Sequence, residues 1–447
     1  MASRKPSRPV NKPAPGPSPA SSGATSAGSS MDDLMLAALA RNDGTLQTGR
    51  YLVTFKPDAA DAGLASLRAQ SMRVADARDF KGQAMALEHA GDADAVVFPE
   101  IGVALVGGDA ALARGMSVMA DEPSSDSPVE VIEPEYFVFA NGTVDDYLRG
   151  FLRATETIAR DLGLAGGGSG SATDDTFDPQ VLGNTWGLIR CKVPPSLRSG
   201  AGIRLAVLDT GFDLGHPDFA GRIIVSQTFV GQPVQDLHGH GTHTIGTACG
   251  PKAPAGARPR YGIGYGTQIY VGKVLSNSGN GSGASVLAGM NWAIANQCAV
   301  ISMSLGSQSP VQAAYTAAGS QALAKGCLIV AAAGNASAAT GAPANSPTIM
   351  SVASLDPNLA PSSFSNFGKV EIAAPGRDVY SAAPRPKLNA TMSGTSMATP
   401  HVAGCAALWA QTSAQLRGQA LWNMLLARAL ALPYPAARVG RGLVQAP

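Results

Sequence analysis

The chain has 447 residues, 45% hydrophobic, 15% charged and 6% aromatic, with 52 glycines, 31 prolines and five cysteines. Its 33 Lys and Arg against 32 Asp and Glu leave a formal charge of +1, which excludes global attraction to nucleic acid or an anionic membrane as its main mode of action. The length allows more than one domain and a large core, no apolar run reaches the roughly 18 residues of a membrane span, and the odd cysteine number argues against a complete disulfide framework.

Residues 1–49 are expected to be a disordered tail, most clearly over the first 30, where Pro, Ser, Gly and Ala offer almost nothing apolar to bury. Arg4, Lys5, Arg8 and Lys12 are basic, but no hydrophobic segment follows them, so the chain as given shows no Sec signal peptide. The expected compartment is the cytoplasm or a non-classical export route, with secretion after removal of a signal as the alternative. Residues 50–140 read as a small α+β unit. Strands are expected at 51–55, 83–89, 95–106 and 129–139, and helices at 59–72 and 109–120. That β-α-β-β-α-β order suits a ferredoxin-like sandwich.

An amphipathic helix is expected at 144–163, with Tyr147, Leu148, Phe151, Leu152, Ile158 and Leu162 on one face. A Gly/Ser linker follows at 165–171, so 141–182 separates two folded units. From 183 to 447, apolar strands expected at 203–208, 269–275, 299–304, 327–333 and 348–353 alternate with helical patterns. The fold class is therefore α/β, a parallel sheet with helices on both faces. A last helix is expected at 413–432.

Three segments carry chemistry. An apolar strand at 206–211 ends in Asp209 before a glycine turn; 238–243 opens a helix around His240; 393–401 opens another around Ser396. Such a trio suits acyl transfer. A serine hydroxyl is inert until a neutral imidazole can take its proton, and the aspartate fixes the tautomer and stabilises the imidazolium. The chain order is Asp209, His240 31 residues on, and Ser396 156 further. An α/β-hydrolase runs Ser, acid, His, and a chymotrypsin-like enzyme His, Asp, Ser. Residues 394–398 also lack the second glycine of a G-x-S-x-G elbow, so the esterase reading falls away.

Asp-Thr-Gly at 209–211, His-Gly-Thr-His at 240–243 and Gly-Thr-Ser-Met-Ala-Thr-Pro-His at 394–401 resemble, in order, the three signatures of the subtilisin-like serine proteases. The resemblance implies a serine endopeptidase with Asp209, His240 and Ser396 as its triad. It also implies an oxyanion hole made by the Asn335 amide and the Ser396 backbone N–H. Ser304, Leu305 and Gly306, with Gly281, Ser282 and Gly283, resemble the two edges that pair with an extended peptide substrate. Gly341 aligns with the base of the main specificity pocket, where a glycine leaves room for a large substrate side chain. Residues 50–140, ending in Ile132-Glu-Pro-Glu-Tyr136, resemble the family's prodomain. The implied enzyme is a zymogen, inhibited by its own prodomain until autocatalytic cleavage between about 140 and 183. Residues 439–444 resemble the family's closing motif, after which no accessory domain is expected.

Other assignments compete. His238, His240 and His243 could hold a metal, but no Glu or Cys completes a ligand set there. His243 then reads as structural, His238 as a rim residue and His401 as packing; His216 and Asp218 hold a loop, and His89 is a candidate pH sensor. Cys249, Cys298, Cys327 and Cys405 lie in apolar contexts, while Cys191 is expected to be the exposed one. No cofactor is required for catalysis. A tight calcium site is not expected, although Asp218 matches one outer ligand; the Pro347 and Ile349 carbonyls with the Glu371 carboxylate are candidates for a weaker one, the alternative being an ordinary solvated carboxylate. A pseudoprotease and a protease dedicated to one partner are the remaining alternatives. Expected partners are extended peptides and the chain's own prodomain, with no nucleic acid and no membrane span.

Overall fold

The computed structural model describes residues 25–41, 45–115, 127–140, 183–256 and 258–447. The helix expected at 144–163, the linker after it and the end of the helix expected at 109–120 lie outside the described residues. Among the described residues no helix is long and apolar enough to cross a membrane.

The N-terminal unit runs α1 (Met31–Arg41), β1 (Gln47–Phe55), α2 (Ala60–Ala69), β2 (Val74–Asp76), β3 (Ala95–Phe98), β4 (Val103–Val106), α3 (Gly108–Ala113) and β5 (Val129–Phe139). Its sheet has the order β2-β3-β4-β1-β5. The pairs are antiparallel except β2 with β3. Three expectations are corrected. The stretch 83–89 is not a strand: short 3₁₀ turns cover Lys81–Gln83 and Leu87–Ala90. Its alternating Met85 and Leu87 do bury, but the segment is pulled out of the sheet by the larger unit, where the Gln227 amide donates to the Ala84 carbonyl and the Asn291 amide to Gln83. Residues 95–106 form two strands rather than one, because Gly102 turns the chain at φ +67°.

The third correction concerns the tail. Residues 25–41 belong to the folded unit: Ala27 is fully buried and its carbonyl accepts from Arg50. Met31, Leu34, Met35 and Ala38 recur at helical spacing and pack on Phe137 and Phe139 of β5. Ser30 opens α1 by accepting from the Asp33 N–H and donating to its carboxylate, a cap worth about 1 kcal/mol. The helix thus lies over the strand that leads into the larger unit's cleft.

That larger unit is built on seven parallel strands in the order β13-β12-β11-β10-β6-β8-β7. They are β6 (Arg204–Asp209), β7 (Ile224–Thr228), β8 (Gln268–Lys273), β10 (Val300–Met303), β11 (Leu328–Ala332), β12 (Met350–Leu355) and β13 (Ile372–Pro375). The strands are near-continuous runs of Val, Ile, Leu and Ala, as a sheet covered on both faces requires. Two apolar clusters lie on the two sides: Leu205, Val207, Val330 and Val352 face one, Ala206, Leu208, Ile301 and Ile329 the other. The alternation follows from the two-residue period of a strand. The helix expected at 413–432 is shorter, Gly418–Arg428, since residues 413–417 turn the chain after the helix Thr395–Thr412. All five cysteines are unbridged and buried. Cys191 is no exception, because the short helix Trp186–Arg190 turns it into the core beside Leu188.

Candidate active site

Parallel strands point their C-terminal ends to one edge, and Asp209 is the last residue of the near-central β6, between β8 and β10. Its Oδ1 lies 2.7 Å from His240 Nδ1 and accepts from the Thr210 N–H, while Oδ2 accepts from Thr244 Oγ1 at 3.1 Å. The imidazole is thereby fixed with Nδ1 toward the acid. His240 opens the helix His240–Cys249, which sits tight on the β6 turn: a Cβ on Gly241 would stand 2.3 Å from the Gly211 carbonyl oxygen. Only glycine allows that approach.

Two buried charges behind the pair escaped sequence reasoning. Asp236 accepts from Thr210 Oγ1, from the N–H groups of His238, Gly239 and Thr242, and from Thr242 Oγ1, at 2.7–3.0 Å. An acid four residues before His240 is a legible helix-start signal, and here it gathers the orphan donors of the His240 helix. Lys273, at the end of β8, donates to the Thr210 carbonyl and to Asn277 Oδ1. Burial pulls its ammonium down to about 8, against the opposing attraction of Asp236 and Asp209.

Ser396 is the second residue of the helix Thr395–Thr412, and its Oγ donates to the Ala140 carbonyl at 2.9 Å and to the Ser304 carbonyl at 3.3 Å. Ser304 Oγ donates in turn to the Ser396 carbonyl at 2.7 Å. Asn335 lines the same small cavity as Ala140 and Ser396. Its Oδ1 accepts from the Thr395 N–H and Oγ1, at 2.8 and 2.9 Å, so its orientation is set.

The chain's own β5 lies in the cleft. One edge is β9 (Asn280–Ser282), paired antiparallel with Phe137, Val138 and Phe139. The Ala140 N–H extends that edge by donating to the Gly279 carbonyl, and on the other side Phe139 and Gly306 exchange two backbone hydrogen bonds of 3.0 Å. Gly281, Ser304, Leu305 and Gly306 therefore meet around the strand that carries Ala140. Ser282 and Gly283 open the helix Gly283–Ala295, where Ser282 accepts from Arg50 at 3.0 Å and the Ala284 N–H donates to Glu135 at 2.7 Å. Glu133 likewise accepts from the N–H groups of Ala313 and Ala314 at the next helix start. Gly341 lines the Ala140 cavity, but a Cβ there would lie 2.2 Å from the Ser307 carbonyl oxygen. Its glycine is demanded by the packing of the pocket wall itself rather than by space for a large substrate side chain.

His243 Nε2 faces the Val379 and Ala390 carbonyls of the hairpin β14 (Val379–Ala382) and β15 (Asn389–Met392), and burial pushes it down to about 3. His401 Nδ1 bonds the Met397 carbonyl, and burial pushes it down to about 4. Both histidines fold in neutral form. The unfolded chain takes up their protons from pH ~6.5 downward and the native chain does not, so stability falls with pH, by about 1.4 kcal/mol per unit for each histidine. The raised carboxylates of Glu88 and Glu133, both desolvated, pull the other way. A difference measurement isolates the histidine. Urea unfolding of the inactive Ser396→Ala chain, with and without His401→Gln, should show the slope between pH ~6.5 and ~4 reduced by about 1.4 kcal/mol per unit; equal slopes would refute it.

At the candidate weak calcium position the chain places an ammonium of its own. Lys369 Nζ donates to the Ile349 carbonyl and lies 2.7 Å from Glu371 Oε2, while Pro347 is exposed. A cation there would have to displace an ammonium. Asp218 is engaged too, accepting from the Ala255 N–H and from the Tyr261 hydroxyl.

A model of the subtilase family matches residues 200–442. The chain is 41% identical over 230 residues to subtilisin Savinase of Lederbergia lenta, covering 50% of this chain and 82% of that protein. It is 41% identical over 230 residues to an alkaline protease of Alkalihalobacillus alcalophilus, covering 50% of this chain and 58% of that one. To thermitase of Thermoactinomyces vulgaris it is 38% identical over 246 residues, covering 52% of this chain and 84% of that protein. An Asp–His pair and a serine gathered at one end of a parallel sheet, on a chain related in this way, lead to one assignment: the protein belongs to the subtilase family and is a serine endopeptidase.

Proposed function

We propose that Asp209, His240 and Ser396 are the catalytic triad of an enzyme made as a zymogen, and that its first substrate is its own Ala140–Asn141 bond. The observation that carries this reading is the 2.9 Å hydrogen bond from Ser396 Oγ to the Ala140 carbonyl, at the end of a strand held on both edges. A peptide presented in this way is a substrate held against its nucleophile. His240, its Nδ1 proton held by Asp209, takes the Ser396 proton as Oγ attacks the Ala140 carbonyl carbon, and returns it to the Asn141 amine as the bond breaks. Water then releases the acyl-enzyme by the same route. The Asn335 amide and the Ser396 N–H stabilise the oxyanion, a donor of this kind being worth about 10²–10³ in rate.

Residues 25–140 then act as an intramolecular inhibitor. Supporting this are Glu133 and Glu135, each at the start of a helix of the larger unit, and α1, packed over Phe137 and Phe139. Peptides with apolar residues in the two or three positions before the scissile bond, and a small residue at that bond, match the strand now in the cleft.

N-terminal sequencing and intact mass of the processed enzyme test this assignment. The expected fragment begins at Asn141 and has a mass of about 31 kDa, at roughly 0.1 kDa per residue. A first cut elsewhere would sink the assignment of Ala140.

A further inference from the structure

The far end of the sheet from the triad carries a cation that belongs to the chain. Ile349 and Glu371 stand just before the parallel neighbours β12 and β13, so their carbonyl and carboxylate face each other at the strand entry. Lys369 Nζ sits between them, donating to the Ile349 carbonyl and to Glu371 Oε2. Glu371 is fixed from the other side by the Ser351 N–H at 2.6 Å, and the Arg441 N–H holds its carbonyl at 2.9 Å. The Trp422 ring lies 6.0 Å from the ammonium. The same lysine's carbonyl accepts from Thr340 Oγ1 at 2.8 Å. Lys369 therefore holds both ends of the loop from Thr340 to Ile349, and Gly341, the second residue of that loop, lines the Ala140 cavity.

We propose that Lys369 is the resident cation of this oxygen-lined position, and that its ammonium ties the pocket-wall loop to the sheet without calcium. The oxygens are those a hard cation would use. A tethered ammonium satisfies them at no cost in ion binding, and its own stem fills the entrance. Asp218, the outer match to the other calcium position, accepts from the Ala255 N–H and the Tyr261 hydroxyl. The proposal concerns the fold and holds whether or not the triad reading is right.

Thermal unfolding of the full Ser396→Ala chain provides the test, since self-digestion is then removed. Its midpoint should be the same in millimolar calcium and in chelator. Lys369→Ala should lower the midpoint by about 3–8 °C, and calcium, potassium or ammonium ion at millimolar levels should restore part of that loss, with binding visible by calorimetry. Lys369→Met, which keeps the stem in the entrance, should fall without rescue. Three outcomes would overturn the proposal. One is a calcium-dependent midpoint of the parent chain that Glu371→Gln abolishes, which would mean that a metal displaces the lysine. Another is an unchanged midpoint in Lys369→Ala. The last is a fall in Lys369→Ala that none of the three cations reverses, which would leave the lysine a packing role only.

Discussion

Replacing Ser396 by alanine is expected to leave the chain at its full 45.3 kDa, while the parent chain is cut. The hydroxyl donates to the Ala140 carbonyl, so its loss removes the nucleophile and leaves the backbone of the helix Thr395–Thr412 in place. Peptide hydrolysis should fall by about 10⁶-fold in kcat, the magnitude that removal of the triad serine has in subtilisin itself. The cleft and the oxyanion donors remain, so a residual rate about 10³–10⁴ above water is expected. Gels and active-site titration of both chains check it. Equal processing of both would mean that another enzyme makes the cut, and the self-cleavage reading would fail while the family assignment stood.

Arg50→Met is the second large effect, and it acts on the joint between the two units. Arg50 and Glu135 are fully buried, 2.7 Å apart, and the pair reaches across to Ser282 and the Ala284 N–H. Removing the guanidinium leaves a carboxylate in the interior with only neutral donors, Thr48 Oγ1 and the Ala284 N–H. Breaking a buried pair from one side typically costs about 3–5 kcal/mol, because the remaining charge is desolvated without its counter-charge. Urea unfolding in the Ser396→Ala background reads that loss directly. In the active background the same change should bring activity sooner after cleavage, since the cut N-terminal unit leaves more readily. The double change Arg50→Met with Glu135→Leu should recover a good part of the stability, because neither charge is then stranded. If Arg50→Met matched the parent in both measurements, the pair would not hold the joint.

The chemistry was legible early because it sits at places where backbone geometry and reaction demand the same residue types. Asp209 ends an apolar strand, Gly241 must be glycine for its helix to approach the turn after that strand, and Gly211 takes φ +107° hard against the Val234 carbonyl. Asp236 and Lys273 were not picked out although both are buried behind the triad. An acid in a loop and a lysine ending a strand read as surface residues until the folded chain brings them together. Even so, the spacing from Asp236 to His240 was an available capping signal.

Composition and spacing by themselves determined the α/β class and five of the seven sheet strands, and singled out the residues of the proposed triad. They did so because a strand buried on both faces leaves a continuous apolar run, and because three motifs in one order exclude rival folds. Strands β7 and β13 were missed. Both are edge strands: β7 is half-exposed and lacks a continuous apolar run, and β13 is Ile-Ala-Ala-Pro, whose small residues and closing proline read as loop.

Tertiary structure alone decided the rest. It turned 83–89 from an alternating strand pattern into turns held by the larger unit, and it drew α1 out of an apparently structureless tail onto Phe137 and Phe139. It set Lys369 where sequence suggested calcium. In each case local preference was weak and a partner distant in the chain supplied the larger share of the free energy, which no local window can contain. The abundant glycines and sparse charge of the sequence mark where backbone meets backbone; only the folded chain tells which backbone each one meets.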